Sequence, residues 1–389
     1  MSEPQDAPTP ENISKEEMQE ILNTLTPPTP EPGQQPGPPR TEPLIAAGPF
    51  SLDLALILDV AAAWFSEKET LQTGGHDPQT TGFTFQQLEL SVQSFIDPFF
   101  RLDANIVFSE FGLEVEEAYA TTLALPAKLQ VRAGQMLTRF GRHNNRHPHT
   151  WFFVDQPIII GKFFGSEGSR GLGVELSWLA PLPWYVESLV SATLATGECC
   201  ARSFYGQDDL GIEDPRDLLY TVVIKQFFPI DADWSFSWGL SAQLGPNPTG
   251  NGNRTEIYGT DFYFRYRPVS DPSRTSVSLE VEALLRSRQI PHDHLIDGGG
   301  MAHLTWQINP NWELGARAEW VTGTKNDYMD PEWTTDRTRY ALQGTYYPSH
   351  FSRLRLQTSV DRPLWFENPI WGAMLNLELV AGSHGSHEF

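Results

Sequence analysis

The stretch SLDLALILDVAAAW, residues 51–64, puts Leu52, Leu54, Leu56, Leu58, Val60, Ala62 and Trp64 at every second position, with Asp53 and Asp59 between them. A helix would spread the two aspartates around its circumference, whereas a strand puts them on one side and the apolar residues on the other. The same period recurs in Phe99 to Phe108, where Phe100, Leu102, Ala104, Ile106 and Phe108 oppose Arg101, Asp103 and Asn105, and again in Trp234 to Leu244. Followed to about Gly382, it predicts about sixteen strands, near 51–66, 82–95, 99–110, 112–124, 127–138, 170–180, 183–195, 217–229, 233–246, 256–268, 275–288, 298–309, 312–322, 336–348, 351–362 and 368–382. Most exceed the five or six residues usual in a soluble sheet and match a tilted membrane crossing of about ten.

The connections carry separate information. Ile96-Asp-Pro98, the turn at Pro126, Ala180-Pro-Leu-Pro183, Pro229 to Asp233, Asn309-Pro-Asn311 and Pro348-Ser-His350 are short and marked by Pro or Asn, as tight turns are, and all follow even-numbered strands. The longer connections 67–81, 139–169, 196–216, 247–255, 289–297 and 323–335 follow odd-numbered ones. Up-and-down order with short turns at one rim and long loops at the other is the signature of an outer-membrane barrel, whose short-turn rim is periplasmic. Strand direction then puts Trp178, Trp184, Phe228, Trp234, Tyr266, Trp306, Trp312 and Tyr346 near the periplasmic rim, and Trp64, Phe85, Phe108, Tyr258, Trp320 and Tyr340 near the outer one. Two aromatic belts at interface height are what a bilayer asks for.

Composition agrees. A chain of 389 residues with 40% hydrophobic and 12% aromatic residues has no apolar run long enough for a helical span. A net charge of −22 argues against nucleic acid as a partner. Residues 1–49 hold twelve of the 31 prolines and eight acidic against two basic residues, so they read as a disordered acidic periplasmic arm ahead of a barrel over 50–389. Ser14 caps a short amphipathic helix, Lys15 to Leu25, within it. Met1 to Pro49 contains no basic segment followed by an apolar core, which a surface protein requires, so a mature or start-trimmed chain is expected. Cys199 and Cys200 are adjacent and cannot staple distant segments; two inert thiols are expected, with a vicinal disulfide as the alternative.

Val115-Glu-Glu-Ala-Tyr119, Leu129-Gln-Val-Arg-Ala-Gly-Gln135 and Thr138-Arg-Phe-Gly141 resemble the acidic-Ala-Tyr strand and the glycine-containing strand of the phosphate-selective porin O/P-type family. Asp155-Gln-Pro157 through Phe164-Gly, Gly168 to Gly173 and Pro181-Leu-Pro-Trp-Tyr185 are similar to related porin-like proteins, some of them zinc-regulated TonB-dependent outer-membrane receptors. The resemblance covers roughly residues 110–190. It implies a passive sixteen-stranded channel, often a homotrimer, with the third outer loop folded into the lumen. Arg139 to Ser169 is that third outer connection by strand counting as well.

A barrel of this size leaves an aqueous lumen, whose selectivity comes from charge at constrictions. Arg139, Arg142, His143, Arg146, His147, His149, Asp155 and Lys162 crowd into the loop and are its candidate constriction residues. Two readings stand side by side: Arg142, Arg146 and Lys162 set an anion-attracting field, or they pair with Asp155 or Glu167 and pin the loop to the wall. On the wall, Arg101, Asp103, Arg265, Arg267, Arg353 and Arg355 point inward near the periplasmic end, as an anion step or as balanced lumen charge. The lumen is not lysine-rich, which speaks against phosphate as the specific solute. His143, His147 and His149, with Asp155 as fourth ligand, form a weak metal candidate with no known signature spacing, and His292-Asp-His294 and His384 with His387 are weaker. No metal or other cofactor is therefore expected. Neighbouring strands carry no Ser/His/Asn or Asp/His set, and Gly298-Gly-Gly300 precedes a strand, so no enzyme is expected.

The expectation is an all-β, sixteen-stranded antiparallel outer-membrane porin, with the lipid bilayer and small hydrophilic solutes, anions among them, as partners. The alternatives are a TonB-dependent metal or siderophore receptor and a structural or adhesive barrel with a closed lumen.

Overall fold

The computed structural model describes residues 45–47, 50–109, 112–197, 199–206, 208, 211–270, 275–327 and 329–382. Residues 1–44 and 48–49 of the arm expected over 1–49, its helix at Lys15 to Leu25, and His384 and His387 lie outside the described residues.

Sixteen antiparallel strands, β2 (Phe50–Phe65) to β17 (Ile370–Gly382), pair in chain order, and β17 closes on β2 from Gly372↔Phe65 to Gly382↔Ala55. Alternation decides which way each residue points. On β2 the buried residues are Ala55, Ile57, Asp59, Ala61, Ala63 and Phe65, while Leu56 and Trp64 face out. The outer wall is consequently an unbroken apolar surface that includes Leu176, Val222, Leu240, Leu304, Leu356 and Leu377, each more than a third exposed. Aromatic side chains edge it at both rims. At the short-turn rim Trp234 packs on Tyr266 at 4.9 Å and Trp312 on Tyr346 at 4.8 Å, while Trp64, Tyr258, Trp320 and Tyr340 stand outward at the other. An apolar band between two aromatic belts is a surface for lipid, and it makes the chain a transmembrane barrel.

The short turns close by a shared device. Asp97 accepts from the N–H groups of Phe99 and Phe100, Asp231 from Asp233 and Trp234, and Asn309 from Asn311 and Trp312. Each side chain satisfies two backbone donors that the ladder leaves open, which is why Asp and Asn mark these positions.

Two expectations change here. The connection expected over 289–297 is a two-residue turn, Pro291 and His292, because β12 (Ser276–Ile290) and β13 (Asp293–Asn309) continue pairing as a tall hairpin to Ile290↔Asp293. His292 takes the left-handed conformation that such a turn needs, with φ 68°. Within the stretch expected to be arm, Ile45–Ala47 forms β1, which pairs with Phe50 to Leu52 just beyond the end of β17.

The pairing registers of the described strands shift at four places, two of them beside the short turns near Asn309 and Ser349 and two, both β-bulges, within the wall. Gln86 on β3 (Gly82–Phe95) and Glu116 on β5 (Gly112–Thr122) are skipped in the pairing registers. Each bulge turns two consecutive residues inward, so Gln86 and Gln87, and Glu116 and Glu117, are all buried.

Leu240 sits midway along β10 (Trp234–Pro246) on the outer face. Leu240→Arg is expected to lower the unfolding free energy by about 2–4 kcal/mol in lipid vesicles, read from guanidinium titration. A loss under about 0.5 kcal/mol, typical of a water-facing position, would contradict the lipid-facing assignment.

Candidate functional site: the loop inside the barrel

The segment from Thr138 to Ser169 leaves β6 (Leu129–Leu137), crosses the lumen and returns to β7 (Arg170–Leu179). Its ends are tied together: the Thr138 N–H donates to the Ser169 carbonyl at 2.9 Å, and the Asn144 amide donates to both the Thr138 and Ser169 carbonyls. Gly141 starts the inward turn with φ 61°, and a Cβ there would lie 2.0 Å from the Glu282 carboxylate, so any other residue would be strained and would displace that carboxylate. Beyond it the wall supplies the loop's backbone partners. Glu282 accepts from the N–H groups of Arg142 and His143, Gln343 and Gln357 from Val154, Asp77 from Gln156 and Glu319 from Ile158. These partners stand on β12, on β15 (Arg337–Ser349), on β16 (Ser352–Pro363), in an outer loop and on β14 (Trp312–Val321), so the segment lies within the barrel.

The loop's charges follow the wall's. Arg142 and Arg146 both reach Glu280 at 3.0 Å. His147 is bracketed by the bulge carboxylates, Nδ1 to Glu116 at 2.9 Å and Nε2 to Glu117 at 2.8 Å, and His149 meets Glu89 at 2.6 Å. Asp155 then meets the opposite charge: Arg317 at 2.5 Å, Arg339 at 3.0 Å and the Gln357 amide at 2.7 Å. Burial alone would raise its pKa, but the two guanidinium groups outweigh burial and hold it below the usual carboxylate range. Arg353 and Arg355 donate to the carbonyls of His149 and Trp151. Lys162 pairs with Asp297 at 2.7 Å.

The pairing of Arg142 and Arg146 goes to Glu280 instead of to Asp155 or Glu167. The metal candidate does not assemble. His147 spends both ring nitrogens on carboxylates, Asp155 is held on another wall, and burial keeps His143 neutral beside Trp151, its nitrogens without hydrogen-bond partners among the described residues. The wall arginines are not a free belt either: Arg101 pairs with Asp103 at 2.8 Å, Arg353 with Glu378 and Arg355 with Asp59, while Arg265 is half-buried on β11 (Arg254–Tyr266) and Arg267 lies exposed past its end.

Sequence reasoning missed an apolar plug. The short helix α1 (Ile158–Phe163) and Phe164 pack against Leu219, Ile257, Leu284, Met301 and Val321, which point inward from five strands, and Phe204 and Trp333 of the outer loops complete the cluster. The signal was present: those five wall residues are apolar at inward positions of a lumen expected to be polar. The outer loop over 196–206 also carries a Cys199–Cys200 disulfide in place of the two inert thiols expected.

The loop is unevenly wetted, with Asn145 exposed and His147 and Glu167 keeping 12 and 13% of their side-chain exposure. The side chains of Arg139, Arg142 and Arg146 keep 13, 17 and 26% of their exposure, against 1% or less for Asp155, Arg317 and Arg339. Arg132, Glu187, Lys225 and Tyr263 are half-buried wall residues whose inward positions lie toward the short-turn rim.

No family model matches the chain. An uncharacterized protein of Aquifex aeolicus (strain VF5) is 30% identical over 393 aligned positions, spanning 87% of this chain and 80% of that protein. Among solved structures, the outer membrane channel DcaP of Acinetobacter baumannii has a TM-score of 0.58 at 12% identity, covering 88% of this chain and 99% of that one. The anion-selective porin from Comamonas acidovorans has 0.57 at 11%, covering 85% and 100%. The trimer form of OmpT from Vibrio cholerae has 0.54 at 9%, covering 85% and 99%. At these identities the likeness is one of fold, that of outer-membrane porins, and with the lipid-facing band it places the chain in a bacterial outer membrane.

Asp155→Asn leaves Arg317 and Arg339 buried without a full counter-charge, and breaking such a pair costs about 3–5 kcal/mol. Faster hydrogen exchange is expected across 139–169 with the barrel strands still protected; unchanged exchange in the loop would show that Asp155 does not anchor it. A pH effect arises at the loop's outer edge. Burial lowers the pKa of His76, but its 3.1 Å contact with Glu116 outweighs this and raises it to about 9. Its contribution to docking is complete below its unfolded value and is lost as pH rises toward 9. Glu167, raised to about 7 chiefly by burial, ionises unfavourably at the lower end of this range, its cost complete once the pH passes about 7. Protease cleavage within 66–81 is therefore expected to speed up between about pH 6 and pH 9.5, with the slope flattened in His76→Gln. A rate independent of pH would count against that contact.

Proposed function

The chain belongs to the family of the uncharacterized Aquifex aeolicus protein, and we propose that it works there as an outer-membrane porin for small hydrophilic solutes. The segment 139–169 is its constriction, and anions are favoured. The observation that carries this reading is that the partly wetted Arg142 and Arg146 share the single carboxylate of Glu280, which leaves one positive charge uncompensated between them, while Arg139 beside them is paired with Glu175 and Glu187. Fixed positive charge at a narrow, low-dielectric passage raises the local concentration of anions. The resemblance of the 110–190 motifs to phosphate-selective porins points the same way. So does the anion-selective porin of the same fold. A homotrimer is the proposed assembly, by analogy with the trimer form of the Vibrio cholerae barrel.

A second reading rests on a different observation. The apolar cluster around α1 fills the outer part of the lumen, as a structural or adhesive barrel with a closed lumen would require. The receptor reading has less support, since the lumen is already occupied by the chain's own loop.

Planar bilayers separate these readings. The porin is expected to give stable ohmic steps, closing in threes if trimeric, and a reversal potential on the anion side in a KCl gradient. Neutralising one loop arginine removes an interaction of about 1 kcal/mol, so Arg146→Gln should lower the anion-to-cation permeability ratio on the order of fivefold. A folded but silent barrel would support the closed-lumen reading, and cation selectivity would refute the role given to the arginines.

A further inference from the structure

Two features at the outer rim are not used by a channel: a vicinal disulfide and a carboxylate beside it. Cys199 and Cys200 sit in a loop closed by the Gly197 N–H donating to the Gly206 carbonyl at 2.8 Å. That loop is bound to the base of the lumen segment. The Glu167 N–H donates to the Cys199 carbonyl at 3.1 Å and the Arg170 N–H to the Cys200 carbonyl at 3.3 Å. Gly165 lies so close beneath that a Cβ would come within 2.2 Å of the Cys199 carbonyl oxygen. These contacts bring a Glu167 oxygen and both sulfurs within 4.8 Å of one another. They also put an Arg170 guanidinium nitrogen 3.4 Å from the Cys199 sulfur and 2.9 Å from the Glu167 carboxylate, with Glu114 sharing that guanidinium.

We propose that Cys199, Cys200 and Glu167 form a redox-gated site for a soft divalent metal ion. In the oxidised chain the sulfurs are bonded to each other and cannot act as thiolate ligands. A small-molecule thiol opens the site: two reductant thiols become one disulfide, and Cys199 and Cys200 each gain a hydrogen. Binding M²⁺ then releases the two thiol protons, and that of Glu167 where it is protonated, and leaves an S₂O donor set, with water completing four ligands. Thiolate ligands select zinc-like, thiophilic ions over calcium or magnesium. Metal–sulfur bonds of about 2.3 Å in tetrahedral geometry set the sulfurs about 3.8 Å apart, which side-chain rotation reaches from neighbouring Cα atoms. Those Cα atoms are 3.8 Å apart.

The test uses the full chain in detergent, reduced with dithiothreitol, freed of it anaerobically and titrated with Cd²⁺. Cys199 and Cys200 are the only cysteines, so thiolate-to-metal charge-transfer absorption reports this site alone. Expected are one Cd²⁺ per reduced chain, no absorption from the oxidised chain, about half the intensity in Cys200→Ser, and affinity lower by about tenfold in Glu167→Gln. A disulfide that resists the reductant, a reduced chain without the band, or unchanged affinity in Glu167→Gln would each overturn the proposal. Reduced and oxidised wild type are the same molecule, so the first comparison stands even if a variant fails to fold.

Discussion

A polypeptide segment that enters a barrel must find a partner for every polar group it brings, and here the wall provides them in advance. The contact around Asp155 is the one on which the rest depends. With Arg317, Arg339 and Gln357 around it, this carboxylate fixes the middle of the lumen segment against β14 to β16. The side chains of Arg139, Arg142, Arg146, His147 and His149 before it then meet carboxylates of the wall, and the helix after it is delivered to the outer mouth. Reversing the order of charges along the loop would set arginine against arginine at one wall and carboxylate against carboxylate at the other. The loop's position is thus written in its sequence as a polarity, cations first and Asp155 second, matched to a wall with the complementary polarity.

The bulges on β3 and β5 show how the wall reaches that match. Strict alternation gives each strand one inward residue in two, which is too sparse to bracket an imidazole from both sides. Skipping Glu116 in the register turns Glu116 and Glu117 inward together, and His147 fits between them. Skipping Gln86 does the same for the outer loop: its carbonyl lies 3.2 Å from one His76 ring nitrogen, and its amide donates to the His76 carbonyl. Local disorder in the ladder is the means by which two flexible connections are fixed.

Most of the wall was legible from sequence because a strand in lipid has to declare its two faces. Leu52 to Trp64 can be apolar at every second residue only if those residues face the bilayer, and Asp97, Asp231 and Asn309 can cap turns only at the rim. What stayed illegible is what alternation does not encode. The hairpin over Ser276 to Asn309 stands tall because Arg286 and Arg288 pair with Asp297, Asp327 and Asp330 above the wall, contacts between segments far apart in sequence. The histidines of the loop were a metal candidate by residue type, but Glu116 and Glu117 together claim His147, Glu89 claims His149, and the ring nitrogens of His143 have no hydrogen-bond partner among the described residues. Ile257 and Leu284 fall within expected strands, and their inward parity in a wide barrel required something apolar inside.

That apolar content also decides where a solute could pass. Moving α1 out of the outer mouth would expose Ile158, Ile159, Ile160, Phe163 and Phe164, at about 2 kcal/mol for each side chain returned to water, on the order of 10 kcal/mol in all. Shifting the half-exposed Arg146 against Glu280 disturbs a pair whose partner is also held by Arg142, and partly hydrated pairs contribute about 1 kcal/mol or less. The two sides of the loop therefore differ by roughly an order of magnitude in their resistance to opening. On the proposed reading, a solute takes the arginine side, because the other side is held shut by the same hydrophobic effect that keeps the barrel's outer face in the membrane.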